Sequence, residues 1–397
     1  MKKALIFLLP IIVVALGIWY VRSDRFSSQD LPEISDLTKN RDTSTTQTQD
    51  KSSSEDVPAV TVIAKNLDTP WGIAFLPNGS MLVTERKGTV RFVDATGVLQ
   101  PNPVITVTNV REIGEGGLLG IVLHPDFAVN NYIYLYYTYK SSGGSTLNRV
   151  VCMTYKDNKL SDEKSIVDAI PGDSNHNGGR IKFGPDRLLY IGTGDAEVPS
   201  RAQDTNSLAG KILRVTDEGR PANGNPFDFA QGKPLGDPRV FSYGHRNVQG
   251  LTWDQNGTFW ATEHGRSGIL SGLDEVNLIQ SGRNYGWPEI QGDEVRSGME
   301  TPVRHSGATT TWAPSGAAYL GGSLFFGGLR GQALYEAVLS GNRVSEVKEY
   351  FKGQFGRLRD VVAGPDSMLY ITTSNRDGRG KPTSDDDRII RVNPDKL

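Results

Sequence analysis

Two polar residues in this chain have the spacing of a catalytic pair. His176 lies in a polar loop flanked by glycines, directly before an apolar run, and Asp195 follows nineteen residues later at the end of the next apolar run. If the two runs form a hairpin, the chain returns to its starting edge and the two side chains can meet. A carboxylate beside an imidazole fixes the tautomer of the ring and stabilises its protonated form, as a general base requires. A surface histidine and a turn aspartate are the alternative interpretation.

Arginines form a second group of candidates. Arg246 and Asn247 precede an apolar run, and Arg330 lies in the loop GGLRGQ. Arg357 and Arg359 alternate, so both project to the same face if they belong to a strand. Arginine binds carboxylates and phosphates through two parallel hydrogen bonds, so these residues would form an anion site if their loops converge. Structural Arg–Asp pairs or solvated arginines are the alternative.

The stretch 262–289 is rich in oxygen donors. A glycine-rich loop, 265–272, can present backbone carbonyls. The side-chain oxygen donors that follow the loop are Asp274, Glu275, Asn277, Asn284 and Tyr285. Oxygen ligands without cysteine suit a hard cation such as Ca²⁺. The spacing is not that of an EF-hand, so the pattern alone does not specify calcium.

These candidates belong to a repeated pattern. An apolar run, a turn containing Pro, Asp, Asn or Gly, and a second apolar run ending in polar residues recur at 72–86, 117–139, 179–195, 250–265, 316–339 and 360–375. Asn-Gly turns such as Asn78-Gly79 are strong hairpin signals. Six similar hairpins predict an all-β fold, a six-bladed β-propeller over residues 59–397, whose ring closure removes open sheet edges. A pair of β-sandwiches would use similar strands but gives no reason for six similar hairpins.

Two segments precede the propeller. Residues 1–22 begin with Lys2 and Lys3, followed by eighteen uncharged residues, and predict a membrane-spanning signal anchor with its N-terminus inside. A cleaved signal peptide is the alternative. Residues 23–58 are rich in Ser, Thr, Asp and Gln and predict a disordered linker. We therefore expect an extracytoplasmic domain, periplasmic or at the cell surface, tethered to the membrane.

The overall composition excludes several classes of protein. Lys and Arg total 43 against 45 Asp and Glu, a net charge of −2, which excludes a generally basic nucleic-acid-binding protein. The only cysteine, Cys152, excludes an intrachain disulfide and a cysteine-based metal cluster. The 45 glycines and 21 prolines are typical of a fold with many tight turns.

The motifs around these candidates also carry a resemblance. The phrases HNGGRIKFGPDRLLYIGTGD, YGHRNVQGL, DEVNLI with GRNYGWPE, and GRLRDVV with SMLYITTSN run in order along residues 59–397. Together they resemble the soluble glucose and aldose sugar dehydrogenases that depend on pyrroloquinoline quinone (PQQ), a family of six-bladed propellers. The resemblance implies PQQ and Ca²⁺ as cofactors, an aldose oxidised at C1 to the lactone, and a membrane quinone or cytochrome as electron acceptor.

The resemblance also implies roles for single residues. His176 matches the catalytic base and Asp195 the acid that supports it, and Glu115 stands where the glucose enzymes carry a glutamine near the substrate. The positions that match cofactor contacts are Arg246, Asn247, Arg330 (in place of a lysine), Arg357 and Arg359. Gly265 and Arg266 match the loop that holds the cofactor-bound Ca²⁺. The positions that resemble a second, structural Ca²⁺ site are Asp274, Glu275 and Tyr285.

The sequence leaves two other functions open. It also does not distinguish a monomer from a homodimer. A propeller that has lost the cofactor could serve as a non-catalytic binding module at the cell surface. A calcium-dependent lactone hydrolase on a similar propeller would need a cluster of acids around a central cation, and the acids here are scattered. The combination of His176, Asp195 and the arginines favours the dehydrogenase, because a binding module has no need of it.

Overall fold

The computed structural model describes residues 58–227, 235–268 and 271–397. The predicted membrane anchor (1–22) and all but the last residue of the predicted linker (23–58) lie outside these ranges. Within the described ranges, no helix is long and apolar enough to cross a membrane.

Six four-stranded antiparallel sheets form the domain, so the predicted six-bladed propeller is confirmed. Blade 1 contains β2 (Pro70–Phe75), β3 (Met81–Glu85), β4 (Thr89–Val93) and β5 (Ile105–Thr106). Blade 2 contains β6 (Leu118–Leu123), β7 (Tyr132–Lys140), β8 (Thr146–Lys156) and β9 (Lys159–Pro171). Blade 3 contains β10 (Ile181–Phe183), β11 (Leu189–Gly192), β12 (Lys211–Val215) and β13 (Val240–Tyr243).

The remaining blades follow the same order. Blade 4 contains β14 (Val248–Trp253), β15 (Phe259–Glu263), β16 (Glu275–Leu278) and β17 (Arg304–His305). Blade 5 contains β18 (Pro314–Leu320), β19 (Ser323–Gly328), β20 (Leu334–Ser340) and β21 (Arg343–Tyr350). Blade 6 contains β22 (Leu358–Ala363), β23 (Leu369–Thr373), β24 (Ile389–Val392) and β1 (Val60–Ala64). The described helices are short: α1 (Phe127–Asn130) and the 3-10 turns Pro199–Ala202 and Pro394–Lys396.

The ring closes through the last blade. Strand β1 pairs with β24 in the register Val60 opposite Val392, so the first strand of the domain is the outer strand of the blade that ends it. This pairing joins the two ends of the domain by main-chain hydrogen bonds. It also covers an edge that β24 would otherwise expose.

The predicted hairpins have the turns that their sequences favour. Gly79 and Gly257 adopt φ of 83° and 79°, the left-handed region that glycine reaches without steric cost. The Gly79 amide donates to the Leu76 carbonyl at 2.9 Å, and Gly257 makes the same turn bond to Asp254 at 3.0 Å. These tight turns connect β2 to β3 and β14 to β15.

Apolar side chains pack between neighbouring blades and leave the ends of the inner strands to polar residues. One core cluster joins Trp71 of blade 1, Leu119 of blade 2 and Ile181 of blade 3, all buried. The inner strands β2, β6, β10, β14, β18 and β22 all begin at one end of the channel that they surround. In each hairpin the second strand returns to that end, so the six loops there can build one site.

Candidate active site

A cavity of about 520 Å³ lies at the end of the channel where the inner strands begin. Its lining comes from loops of several blades and includes Glu115, His176, His264, Gly265, Arg330 and Arg357. Cavities of this size hold small organic ligands and cofactors. Part of the sequence-predicted set therefore converges on one space: Glu115, His176, Gly265, Arg266, Asp274, Arg330 and Arg357 line the cavity, whereas the other predicted residues do not.

His176 and Asp195 meet in the wall of this cavity. His176 Nδ1 lies 2.8 Å from Asp195 Oδ1, as the hairpin argument predicts. Asp195 is fully buried, and its other oxygen, Oδ2, accepts a 2.8 Å hydrogen bond from Trp287 Nε1. Because Nδ1 is held by the carboxylate, Nε2 is the ring nitrogen on which a base would act.

The loop before β10 holds His176 in an unusual backbone conformation. His176 has φ of 54°, in the left-handed region that costs a side-chain-bearing residue free energy. Its amide donates to Glu115 Oε2 at 3.2 Å, and the Glu115 amide donates to the Ser174 carbonyl at 2.6 Å. Arg379 donates to Glu115 Oε1 at 2.5 Å and to Asn175 Oδ1 at 2.8 Å. Glu115 and Arg379 therefore tie the loop of the candidate base to blades 2 and 6.

The charge of Glu115 depends on these neighbours. Burial alone would raise the pKa of Glu115, but the fields of His264 and Arg379 lower that pKa to about 2. Burial in turn lowers the pKa of His264 to about 3, so this imidazole is neutral at neutral pH. Arg379 is then the positive charge that keeps Glu115 ionised.

Arg246 has donors that the described part of the chain does not satisfy. The side chain is 4% exposed, its Nη2 donates to Ser267 Oγ at 2.6 Å, and its guanidinium lies over the ring of Trp287 at 5.2 Å. Its Nε and Nη1 have no hydrogen-bond partner among the described residues. Burial lowers the pKa of Arg246. By contrast, Arg330 is exposed and donates to Ser271 Oγ at 2.8 Å.

Arg357 and Arg359 have different surroundings. Arg357 lines the cavity and donates from Nε to Asp377 Oδ2 at 2.7 Å. Arg359 does not line it; its Nη1 donates to Gln249 Oε1 at 2.9 Å, and its guanidinium lies 5.6 Å from the ring centre of Trp71. Burial lowers the pKa of Arg359 to about 9. The structure thus brings one of the two arginines to the cavity wall.

Asn247 is fully buried and does not line the cavity. Its Oδ1 accepts hydrogen bonds from the Gly178 amide at 3.0 Å and from Gln249 Nε2 at 3.2 Å. Its Nδ2 lies 3.4 Å from His264 Nδ1. The Nε2 of His264 is buried without a partner among the described residues.

Asp274 orders the loop that was predicted to bind calcium. Its Oδ1 accepts from the Gly265 amide at 2.9 Å, and its Oδ2 accepts from the amides of Trp312 and Ala313 at 2.7 and 2.9 Å. Burial raises the pKa of Asp274. The Arg266 guanidinium donates to a backbone carbonyl of a neighbouring loop at 3.2 Å. Asp274 and Gly265 are thus in direct contact.

Glu275 and Tyr285 make separate contacts. Glu275 Oε2 accepts from Asn277 Nδ2 at 2.9 Å, and the Tyr285 hydroxyl donates to the Leu278 carbonyl at 2.6 Å. Burial, together with the charge of Glu263, raises the pKa of Glu275 well above its usual value. Across the described ranges, no group of three or more His, Cys, Asp or Glu side chains is placed to hold a metal ion.

Comparison with known proteins identifies the family. The family model of the glucose/sorbosone dehydrogenases matches residues 67–390. The chain belongs to this family.

Members and relatives of this family are similar over most of the domain. The PQQ-bound aldose sugar dehydrogenase of Streptomyces coelicolor is 42% identical, with a TM-score of 0.76, over 84% of this chain and 98% of that chain. A glucose dehydrogenase of Thermus thermophilus, described as a putative oxidoreductase, is 43% identical, with a TM-score of 0.78, over 84% and 99%. The aldose sugar dehydrogenase of Escherichia coli is 33% identical over 78% of this chain and 88% of its own length.

Three residues at or beside the cavity were not predicted from the sequence. Trp287 supports Asp195, Arg379 binds Glu115, and His264 lies in the cavity lining. Trp287 lies inside the motif GRNYGWPE, but its distance of 92 residues from Asp195 gives no local signal of contact. Arg379 is 264 residues from Glu115, and only ring closure brings them together.

Proposed function

We propose that this member of the glucose/sorbosone dehydrogenase family oxidises the C1 hydroxyl of aldose sugars to the lactone, with PQQ as cofactor and His176 as general base. The observation that carries the proposal is the His176–Asp195 pair in the wall of a cavity bordered by arginines. The relatives described as aldose sugar dehydrogenases, one of them PQQ-bound, support the same activity.

The residues around the cavity fit the chemistry of PQQ, a planar quinone with three carboxylates. Buried polar groups normally have hydrogen-bond partners, yet Arg246 Nε, Arg246 Nη1 and His264 Nε2 have none among the described residues. The cavity lining adds the guanidinium groups of Arg330 and Arg357. An anionic cofactor with several acceptor oxygens would satisfy such donors.

The protein's own groups account for the proton half of the reaction. Bound PQQ would supply the acceptor for the hydride that leaves C1. His176 Nε2 takes the proton of the C1 hydroxyl while C1 loses hydride, and the C1–O bond becomes the lactone carbonyl. Asp195 stabilises the imidazolium that results, and Trp287 holds Asp195 in place. Glu115 positions the His176 loop and, with Arg379, borders the space for the sugar.

Calcium is the metal that we propose. Beside the cavity, the Gly265 carbonyl accepts no hydrogen bond from the described part of the chain, and carbonyls are good Ca²⁺ ligands. Among the described residues, no group of three or more His, Cys, Asp or Glu side chains accompanies it, and we propose that the cofactor itself would complete this site. At the second predicted site, the buried Asn277 Oδ1 has no partner among the described residues and is beside Glu275, which favours a cation there.

The cellular setting is also a proposal. The apolar segment 4–21 would anchor the domain on the outer face of the cytoplasmic membrane, with a cleaved signal peptide as the alternative. An anchored, extracytoplasmic dehydrogenase is well placed to pass electrons to a membrane quinone or a cytochrome. Fractionation of cells followed by protease treatment of intact spheroplasts would locate the domain.

Reconstitution tests the proposed function directly. The full chain in detergent is incubated with PQQ and Ca²⁺, quinone binding is followed by absorbance, and dye reduction is assayed with several aldoses. We expect tight quinone binding and reduction of the dye. Replacing Arg246 by Met should weaken quinone binding at least about tenfold, because charged hydrogen bonds are lost. Arg343→Met, at the exposed start of β21, should leave quinone binding unchanged. Absence of both would refute the dehydrogenase and favour the non-catalytic binding module that has lost the cofactor, whereas quinone binding without oxidation of any aldose would refute the proposed substrate class.

A further inference from the structure

A second cavity, of about 610 Å³, lies where the inner strands end, at the opposite end of the channel from His176. All six blades contribute to it through β2, β6, β10, β14, β18 and β22. Its walls are mainly apolar, and the partly buried rings of Phe75, Phe183, Trp253 and Tyr319 belong to its lining. None of the candidate dehydrogenase residues lines it.

The charges of this cavity do not cancel. Its charged lining residues are Arg180, Lys182 and Asp360. Arg180 Nη1 pairs with Asp360 Oδ1 at 2.9 Å, and Asp360 Oδ2 accepts from the Ile73 amide at 3.0 Å, so this carboxylate is already compensated. Lys182 Nζ makes one long hydrogen bond, 3.4 Å, to the Leu251 carbonyl. The buried Arg180 also keeps Nη2 without a partner among the described residues. One positive charge is therefore left over in an apolar space.

We propose that this cavity binds a small monoanion with an apolar body, a carboxylate or sulfonate on an aliphatic or aromatic frame, with the Lys182 ammonium as its counter-ion. Fixed polar groups in an otherwise apolar pocket orient a ligand, while the walls supply the affinity. Phe183 and Trp253 give the apolar body rings to pack against. An inorganic anion would gain the charge but not the apolar contact.

The ionisation of Lys182 gives the proposal a second, independent readout. Burial, assisted by the charge of Arg180 and opposed by Asp360, lowers the pKa of Lys182 to about 8. Besides Arg180, Lys182 and Asp360, the lining has one more titratable side chain among the described residues, that of Tyr319. The ammonium is thus mostly protonated at pH 7 and mostly neutral at pH 9, so affinity for an anion should fall across this interval.

The experiment uses the full chain loaded with PQQ and Ca²⁺ and the fluorescent probe 8-anilinonaphthalene-1-sulfonate, an aromatic monoanion. Replacing Lys182 by Met keeps the length of the side chain and removes its charge, and we expect roughly tenfold weaker saturable binding. Lys156→Met, an exposed lysine of β8, is the matched control and should bind as the wild type does. Decanoate should displace the probe, and inorganic phosphate at the same concentration should not.

Three results would overturn the proposal. The first is equal probe affinity in the wild type and Lys182→Met, which would place the probe elsewhere, for instance on the apolar segment 4–21. The second is displacement by phosphate as effective as that by decanoate. The third is an affinity of the wild type that stays constant from pH 7 to 9, a measurement that needs no variant. Aldose oxidation should be unchanged in Lys182→Met, which separates this cavity from the dehydrogenase site.

Discussion

Neighbouring blades of this propeller carry the same histidine–carboxylate pair in two different surroundings. His176 precedes β10 and pairs with Asp195 beyond β11, while His245 precedes β14 and pairs with Glu263 at the end of β15. The Nδ1–oxygen distances are 2.8 and 2.6 Å. The pairs therefore agree in chemistry and in their place within the blade.

Access distinguishes the two pairs. The His176 side chain is 15% exposed and borders the cavity, whereas that of His245 is fully buried. The second nitrogen of His245 is bonded to Ser242 Oγ at 2.9 Å, and its ring stacks on Tyr285 at 4.7 Å. A histidine with both nitrogens occupied cannot accept a substrate proton. A candidate base needs an unoccupied ring nitrogen at a cavity as well as the carboxylate partner, and of these two histidines His176 is the one that lines the cavity.

The largest expected effect is on turnover, which should depend strongly on His176 and little on His245. Replacing His176 by Ala should lower kcat for aldose oxidation by about 10²–10⁴-fold, because the general base is lost. Quinone binding should be retained. Replacing His245 by Phe, which keeps an aromatic ring against Tyr285, should leave turnover within about threefold at 25 °C, since this buried ring does not line the cavity. Dye reduction by the PQQ-loaded variants measures both.

Equal losses of turnover in the two variants would contradict this assignment. Asp195→Asn supplies the finer control, because it preserves shape while removing the charge that stabilises the imidazolium. Its kcat should fall between those of the wild type and His176→Ala, and the pH profile should change as well.

The second expected effect is on stability. Here the substitution of His245 should cost more than that of His176, the opposite of their effects on turnover. Replacing His245 by Phe leaves the Glu263 carboxylate buried without its partner, opposite Glu275 in the sheet register. Removing the partner of a buried carboxylate in this way should lower the free energy of unfolding by about 3 kcal/mol. His176→Ala should cost less than about 1 kcal/mol, because its partner keeps the bond from Trp287. Urea unfolding of the two variants tests the order, and a larger loss in His176→Ala would break the comparison.

Much of this architecture is readable from local sequence. The hairpin repeats predict the six blades because strand alternation and turn glycines act over a few residues, as at Gly79 and Gly257. The same locality predicts that His176 and Asp195 meet, since they belong to one hairpin. The arginines that precede the inner strands are likewise assigned to one end of the ring once the blades are recognised.

What the sequence does not predict depends on contacts between distant segments. Strand β1 becomes the outer strand of blade 6 because it pairs with β24, more than 300 residues away. Trp287 and Arg379 reach the site across blade boundaries, and no local period marks them. The alternation of Arg357 and Arg359 predicts that both project from the same face of a strand, yet of the two only Arg357 lines the cavity. How far along the channel each residue lies depends on how the six blades assemble, and the local sequence does not encode it.

The smallest expected effect concerns how each histidine is held. The His245 amide donates to the Gly210 carbonyl at 3.1 Å, whereas the His176 amide donates to the charged Glu115 side chain. The pKa of Glu115, lowered from 4.5 to about 2 despite burial, makes this support pH-dependent. A carboxylate with a lowered pKa contributes stability that is complete above pH 4.5 and is lost as the pH falls towards 2.

Replacing Glu115 by Gln should therefore reduce the free energy of unfolding by about 1–2 kcal/mol at pH 7, since part of the shift comes from His264, which is neutral there. Urea unfolding from pH 7 to pH 3 should show a constant difference from wild type down to about pH 5 and a shrinking difference below 4.5. Glu112→Gln removes an exposed carboxylate of the same loop, paired with Arg86, and should have little effect at any pH. A difference that grows on acidification would mean that Glu115 is not the group that holds the His176 loop, and that the backbone of His176, like that of His245, is held by uncharged contacts.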